Sequence, residues 1–367
     1  MEHSAVGSEG LSSPDPSADA GGTRELHTVG RAGRARTPHT VEAAAVLGVG
    51  RYLPPRVVSN KDLEVRLDTS DEWIRTRTGI RERRVADPDQ ATSDLALPAA
   101  RQALERAGKT GADLDLIIVA TVTPDHAFPS TACVLQHELG ANGSAALDVS
   151  AACTGFLYGL ATAEAMIRAG TVRYALVVGA EVLSKIVNWQ DRTTAVLLGD
   201  GAGAVVLGPA EDGRGILSTY LGADGAGGPL VRMPAGGSRM PTTPETLAQG
   251  LNAFHQNGRE VYRFAIQIMG DAAEEALRRA GLGPEDVDLL VPHQANLRII
   301  ESAARRFGFP MERVEVNIDR YGNTSSASIP IALSEAVEGG RLVPGSVALA
   351  VAFGGGLTWG AVVLRWV

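Results

Sequence analysis

The chain has 367 residues, is 44% hydrophobic and 21% charged, and carries a formal net charge of −8 with two cysteines. That length buries a large core and suits two domains or one duplicated unit. The acidic balance argues against general nucleic-acid binding, and two cysteines with no Cys/His cluster at zinc spacing argue against a disulfide framework or a coded metal site. No stretch reaches the roughly 18 to 20 apolar residues of a membrane span, so a cytoplasmic protein without membrane insertion is expected.

Residues 1–40 are rich in Ser, Gly, Ala, Pro and Arg and lack the apolar core of a secretion signal. They read as a disordered tail. Beyond them, Ala103-Leu104-Glu105-Arg106-Ala107-Gly108 followed by Asp113 to Val119 recurs without a gap as Ala276 to Gly281 followed by Asp286 to Val291. Each copy predicts an amphipathic helix stopped by glycine, a short loop and a buried strand. A second echo pairs Gly203 to Leu207 with Gly360 to Leu364. The repeat predicts two mixed α/β sheets packed through shared helices, with halves at 41–210 and 211–367 and a site at their seam.

Between these landmarks, Cys133 falls on a predicted helix and reads as a packing residue. Cys153 stands where an apolar strand, Ala145 to Val149, gives way to a helical pattern at Phe156, Leu160, Ala163 and Ile167. A thiol at such an elbow meets unpaired N–H groups and the positive end of a helix dipole. These lower a cysteine pKa from about 8.5 toward about 7 and favour the thiolate. On position alone, nucleophile and buried packing residue both stay open. The Gly- and Pro-rich segment Gly222 to Gly258 reads as an elaborated loop over a binding site. Further on, His293 follows the second copy's strand, Asn323 lies on a Gly-Asn turn, and Phe353-Gly354-Gly355-Gly356 forms a bend suited to aiming backbone N–H groups at a ligand. Singly, each of these motifs is weak.

Together, Ala151-Ala152-Cys153-Thr154-Gly155-Phe156, Pro292-His293-Gln294-Ala295-Asn296-Leu297-Arg298, Gly322-Asn323-Thr324-Ser325 and Phe353 to Gly356 resemble the thiolase superfamily. Within it, they resemble the β-ketoacyl-acyl-carrier-protein synthase III group. Thr69 to Ile74, Arg77 to Ile80 and Gly199 to Ala204 extend the resemblance over residues 43–367. It implies a duplicated five-layered αβαβα fold in a homodimer.

The resemblance also implies roles. Cys153 takes an acyl group from acyl-CoA, and the backbone N–H groups of Cys153 and Gly355 form the oxyanion hole. His293 and Asn323 stabilise the enolate left when malonyl-ACP loses carbon dioxide. Trp73, Arg77 and Arg192 surround the CoA nucleotide, Asn296 bonds the pantetheine arm and Phe128 bounds the neighbouring subunit's acyl pocket. Arg263, Arg298, Arg305 and Arg306 dock the acyl carrier protein. No cofactor or metal is implied, since acyl-CoA and malonyl-ACP are substrates.

Asn323 disfavours elongating synthases, which use two histidines, and the absence of cysteine from Phe353 to Gly356 disfavours degradative thiolases. Gln256, where the group commonly has Met, and the unusual segment Ser238 to His255 leave, beside a priming synthase of ordinary fatty acid synthesis, a second reading: a specialised-pathway relative that starts a polyketide or transfers an acyl group from Cys153 to an alcohol or amine. A papain-like hydrolase lacks its Cys-Gly-Ser/Ala-Cys signature here. A non-catalytic partner subunit would usually lack the nucleophile.

Overall fold

The computed structural model describes residues 41–210 and 213–367, so the tail predicted over 1–40 lies outside the described residues. The first sheet contains β1 (Ala43–Tyr52), β2 (Leu116–Ala120), β3 (Ala145–Val149), β4 (Ala175–Glu181) and β5 (Gly201–Ala210), in the order β1-β5-β4-β2-β3. The second contains β6 (Gly215–Ala223), β7 (Leu289–Pro292), β8 (Val347–Gly354) and β9 (Thr358–Arg365), in the order β6-β9-β8-β7. Both run antiparallel, antiparallel, then parallel along these orders. Where β3 extends the first sheet, the second has a single parallel bridge from Leu290 to Val314. The repeat seen in the sequence is therefore a repeat of topology, with the fifth strand reduced to one bridge.

The helices α1 (Asp71–Thr78), α2 (Thr92–Arg106), α3 (Thr131–Glu138), α4 (Gly155–Arg168), α5 (Gly258–Ala280), α6 (Leu297–Phe307) and α7 (Ser328–Glu338) cover or separate these sheets. β2 and β4 are buried along their whole length, as strands covered on both faces must be. Phe156, Leu160 and Ile167 of α4 and Ile329 and Leu333 of α7 fill the space between Ile118, Val177 and Val205 of one sheet and Val291, Ala350 and Val362 of the other. α2 and α3 cover the outer face of the first sheet, and α5 and α6 that of the second. The result is the expected αβαβα layering. Both repeated helices stop at a glycine in the left-handed region, Gly108 at φ 60° and Gly281 at φ 68°, where a Cβ would be strained.

Cys133 departs from expectation. α3 turns Ala132 and Leu135 inward and leaves Cys133 exposed, because adjacent positions on a helix lie about 100° apart. The predicted long loop is more ordered than its composition suggests. Val231–Arg232 pairs antiparallel with His255–Gln256, and the Phe254 N–H donates to Ile186 O at 2.8 Å.

Candidate active site

β3 ends two residues before a 3₁₀ turn, Ala152–Thr154, that runs directly into α4. Cys153 occupies the middle of this elbow. Ala152 before it has φ 46°, and Ser325, two residues after Asn323, has φ 49°; these are the non-glycine residues with positive φ among the described residues. Backbone strain of this kind persists where the surroundings over-determine it and clusters at functional sites.

His293 follows the end of β7, its N–H donating to Val351 O of β8 at 2.8 Å. The ring is buried, with Nδ1 2.7 Å from Ser328 Oγ at the start of α7. Burial lowers its pKa to about 3, so the imidazole is neutral at physiological pH. The serine hydroxyl either donates to Nδ1 or accepts from it, which leaves Nε2 free to take or hold a proton.

Asn323 is fixed through its backbone to the segment before β5. Its N–H donates to Leu197 O at 2.8 Å, and its carbonyl accepts from the Gly199 N–H at 3.0 Å. Its Oδ1 accepts from the Ser325 N–H at 2.8 Å, so the Nδ2 protons are the part of the amide left for a ligand. Sequence reasoning missed what braces this turn. Arg83 is fully buried and donates to Val58 O, Asn60 Oδ1 and Val196 O at 2.8 to 3.1 Å. Through Val196 it pins the segment that holds Asn323. An arginine in Glu-Arg-Arg reads as surface, and nothing local in the sequence marks it otherwise.

The glycine bend closes the site from the end of β8. Phe353 meets the His293 ring edge-on, with centroids 5.6 Å apart. A Cβ on Gly354 would lie 2.8 Å from the Cys153 nitrogen, a clash that explains the glycine. Thr358 Oγ1 stitches the bend to the elbow through Thr154 Oγ1 at 2.7 Å and Ala151 O at 3.2 Å. Val231 of the covering loop sits over Gly355, 3.1 Å from where a Cβ would stand. Elbow, histidine, asparagine turn and glycine bend thus converge from both sheets.

The thiol corrects one expectation. Burial pushes its pKa up to about 12 instead of toward 7, and a charge on nearby Glu181 would push it further, while the Ser325 hydroxyl and the Cys153 N–H pull the other way. The N–H of Thr154 is already bonded to Ala151 O and that of Gly155 to Ala152 O, so the turn consumes donors that the elbow seemed to offer. At rest Cys153 is a neutral thiol.

Away from the elbow, a cleft of about 470 Å³ is lined by Arg77, Gly258, Arg259, Tyr262, Arg263, Asn296 and Arg298. Arg259 and Tyr262 were not singled out in the sequence, although they share α5 with Arg263. Trp73 on α1 is partly exposed, with the Arg192 guanidinium 5.5 Å from its ring centroid. Asn296 caps α6 by accepting from the Arg298 N–H and donates one Nδ2 proton to Arg77 O at 3.0 Å, leaving one proton for a ligand. The basic residues differ in freedom. Arg306 is held by Asp271 at 2.5 Å and Gln267 O at 2.9 Å, whereas among the described residues Arg263 pairs only with exposed Glu260, at 3.2 Å. Phe128 is 86% exposed on the loop before α3.

A duplicated αβαβα fold with a cysteine elbow, a neutral histidine and an asparagine amide at its seam defines a thiol-dependent acyl-transferring enzyme of the thiolase fold. Two family models agree: that described as 3-oxoacyl-[acyl-carrier-protein (ACP)] synthase III matches residues 147–225, and its C-terminal counterpart matches residues 277–366. The chain is 56% identical to the β-ketoacyl-[acyl-carrier-protein] synthase III of Caldanaerobacter subterraneus subsp. tengcongensis over 324 residues, covering 88% of this chain and 98% of the relative. The solved enzyme of that name from Thermus thermophilus is 50% identical with a TM-score of 0.82, over 88% of this chain and 99% of that one. The priming β-ketosynthase of the R1128 polyketide pathway is 38% identical with a TM-score of 0.83, over 91% and 99%. The chain belongs to the β-ketoacyl-acyl-carrier-protein synthase III family.

Proposed function

We propose that Cys153, His293 and Asn323 carry out the family's reaction in this chain, the condensation of an acyl group from acyl-CoA with malonyl-ACP to give β-ketoacyl-ACP, carbon dioxide and free CoA. The reaction initiates fatty acid synthesis, and an acyl carrier protein is its second substrate. The observation that carries the site assignment is the convergence of the strained Cys153 elbow with a neutral histidine and an asparagine whose Nδ2 is left for a ligand.

The first half-reaction starts from a protonated thiol. Sulphur attacks the acyl-CoA carbonyl and its proton passes to the departing CoA thiolate, while His293 stays neutral and keeps its Nε2 proton for the second half-reaction. The N–H groups of Cys153 and Gly355 hold the oxyanion. In the second, His293 and Asn323 donate to the thioester oxygen of malonyl-ACP as carbon dioxide leaves. The carbanion then attacks the acyl-cysteine, and Cys153 departs as thiolate and regains a proton. Trp73 and Arg192 offer an aromatic face and a cation to the CoA adenine, with Arg77 beside them and Asn296 on the pantetheine path. Arg263 and Arg298 line the cleft mouth and present positive charge to an acidic carrier. Arg305 adds to that surface, and Arg306 contributes less because it is held by acids.

A panel of acyl-CoAs followed by malonyl-ACP tests this assignment by intact mass. A Cys153 adduct discharged as β-ketoacyl-ACP with release of carbon dioxide is expected. An adduct that alcohols or amines discharge, but malonyl-ACP does not, would favour the specialised acyltransferase.

The homodimer is supported by the free edge of the first sheet. β3 is an edge strand with Leu147 37% exposed, and its Asp148 accepts from the first N–H groups of α3, which bring exposed Cys133 alongside. Such an edge pairs unless protected, and the exposure of Phe128 on the loop before α3 supports a role at a neighbouring acyl pocket. Leu147→Arg is expected to convert a dimer to a monomer by light scattering. An unchanged mass would remove this edge as the interface.

A further inference from the structure

Glu181 ends β4 fully buried within the site's rear wall, and the reaction described above makes no use of it. It forms no ion pair among the described residues. Its Oε2 accepts from Thr121 Oγ1 at 3.1 Å, the Val122 N–H at 3.1 Å and Thr123 Oγ1 at 2.7 Å. The two threonine hydroxyls are free to donate because each already accepts a backbone N–H, from Thr123 and Val182 respectively. Oε1 lies 2.9 Å from Ser326 Oγ, which is itself 2.7 Å from Ala120 O.

Counting protons favours a neutral acid. Ser326 has one hydroxyl proton for two acceptors, Ala120 O and Oε1, and a neutral Glu181 that donates to Ser326 Oγ is the arrangement that pairs all three groups. Burial without a cation raises the carboxyl's pKa in the same direction. Neighbouring Ser325 reaches both the Glu181 carboxyl and the Cys153 sulphur, and its own N–H is held by Asn323 Oδ1. The Ser326 carbonyl also lies so close to Gly179 of β4 that no side chain fits there.

We propose that Glu181 is a positioning residue for the nucleophile, a neutral carboxylic acid that fixes the Ser325–Ser326 turn against Cys153 and, if ionised, would oppose formation of the thiolate. This rests on the assignment of Cys153 as nucleophile. Among the described residues, Glu181 is bonded by the hydroxyls and amide named above, and the titratable group on which its charge would act is the Cys153 thiol. Asp200, just before β5, is turned instead onto Ser184 and the Ala86 N–H.

The test compares Glu181→Ala with Glu181→Gln, whose amide N–H can donate to Ser326 Oγ while its carbonyl accepts the other three bonds. Glu181→Ala should slow acylation of Cys153 by acyl-CoA at least tenfold, and Glu181→Gln should restore it to within about threefold of the wild type. Iodoacetamide alkylation of Cys153 should follow one pH profile in wild type and Glu181→Gln near neutrality, separating at alkaline pH, where ionising Glu181 holds back the wild-type thiolate. A tenfold loss in Glu181→Gln with an unchanged melting temperature, or a profile shifted to lower pH from neutrality upward, would make the carboxylate the working form and overturn the proposal. Wild-type acylation in Glu181→Ala would overturn it too, and the Glu181→Gln profile decides if Glu181→Ala does not fold. Failure of wild-type Cys153 to acylate at all would instead refute the nucleophile assignment.

Discussion

Cys153→Ala is expected to lower acyl transfer from acyl-CoA by on the order of 10⁴ to 10⁶, while decarboxylation of malonyl-ACP persists within about tenfold of the wild type. The asymmetry follows from the architecture. The thiol belongs to an elbow between β3 and α4, whereas the proposed enolate donors stand on other supports: His293 at the end of β7 against Ser328, and Asn323 on the backbone of Leu197 and Gly199. Removing one sulphur atom from a half-buried position leaves those supports untouched. Intact mass should show no acyl adduct, and carbon dioxide release from malonyl-ACP should continue without β-ketoacyl product. Cys133 is the other thiol of the chain, so Cys133→Ser should leave the adduct in place. An adduct surviving in Cys153→Ala would move the nucleophile elsewhere.

The parts of this site that were legible in the sequence are those in which local chain geometry and chemistry coincide. The strand-to-helix elbow at Cys153, the strand end at His293 and the Gly-Asn turn at Asn323 each need particular residues within a few positions, and the repeat placed the layers around them. What escaped notice depends on contacts between distant segments. Arg83 reads as one more surface arginine until the segment at Val196 and the Asn60 amide close around it. Glu181 reads as the polar end of an apolar strand, because the hydroxyls that bury it come from β2's exit and from a turn far along the chain. The thiol's pKa was misjudged for the same reason: dipole and N–H donors are local features, but they are outweighed by burial, and the elbow is packed by distant segments, the end of β8 with its glycine bend and the turn after Asn323. Cys133 shows the reverse case, where composition suggested packing and helix phase dictated exposure.

His293→Ala should cut malonyl-ACP decarboxylation by about 10² to 10³, the usual cost of losing one donor from a two-donor anion site, while iodoacetamide still alkylates Cys153. Asn323→Ala should fall in the same range, and the double variant should lose less than the product of the two, because both donors serve one oxygen. The pH dependence separates this role from that of a charged imidazolium. With its folded pKa lowered to about 3 by burial, His293 stays neutral as pH falls through 6.5, so turnover of folded enzyme should show no reversible acid limb there. In the unfolded chain the same imidazole binds a proton near pH 6.5. A folded pKa below the unfolded one therefore removes stability as pH falls from about 6.5 toward 3, an effect of a few kcal/mol across that window. Loss of activity at low pH should then track unfolding, with the urea midpoint at pH 5 below that at pH 7 and the slope unchanged. His293→Ala should reduce that difference, since it deletes the proton that the unfolded chain takes up. A kinetic pKa near 6.5 in enzyme that remains folded would mean that the imidazole titrates within the site, and the neutral-donor role would fail.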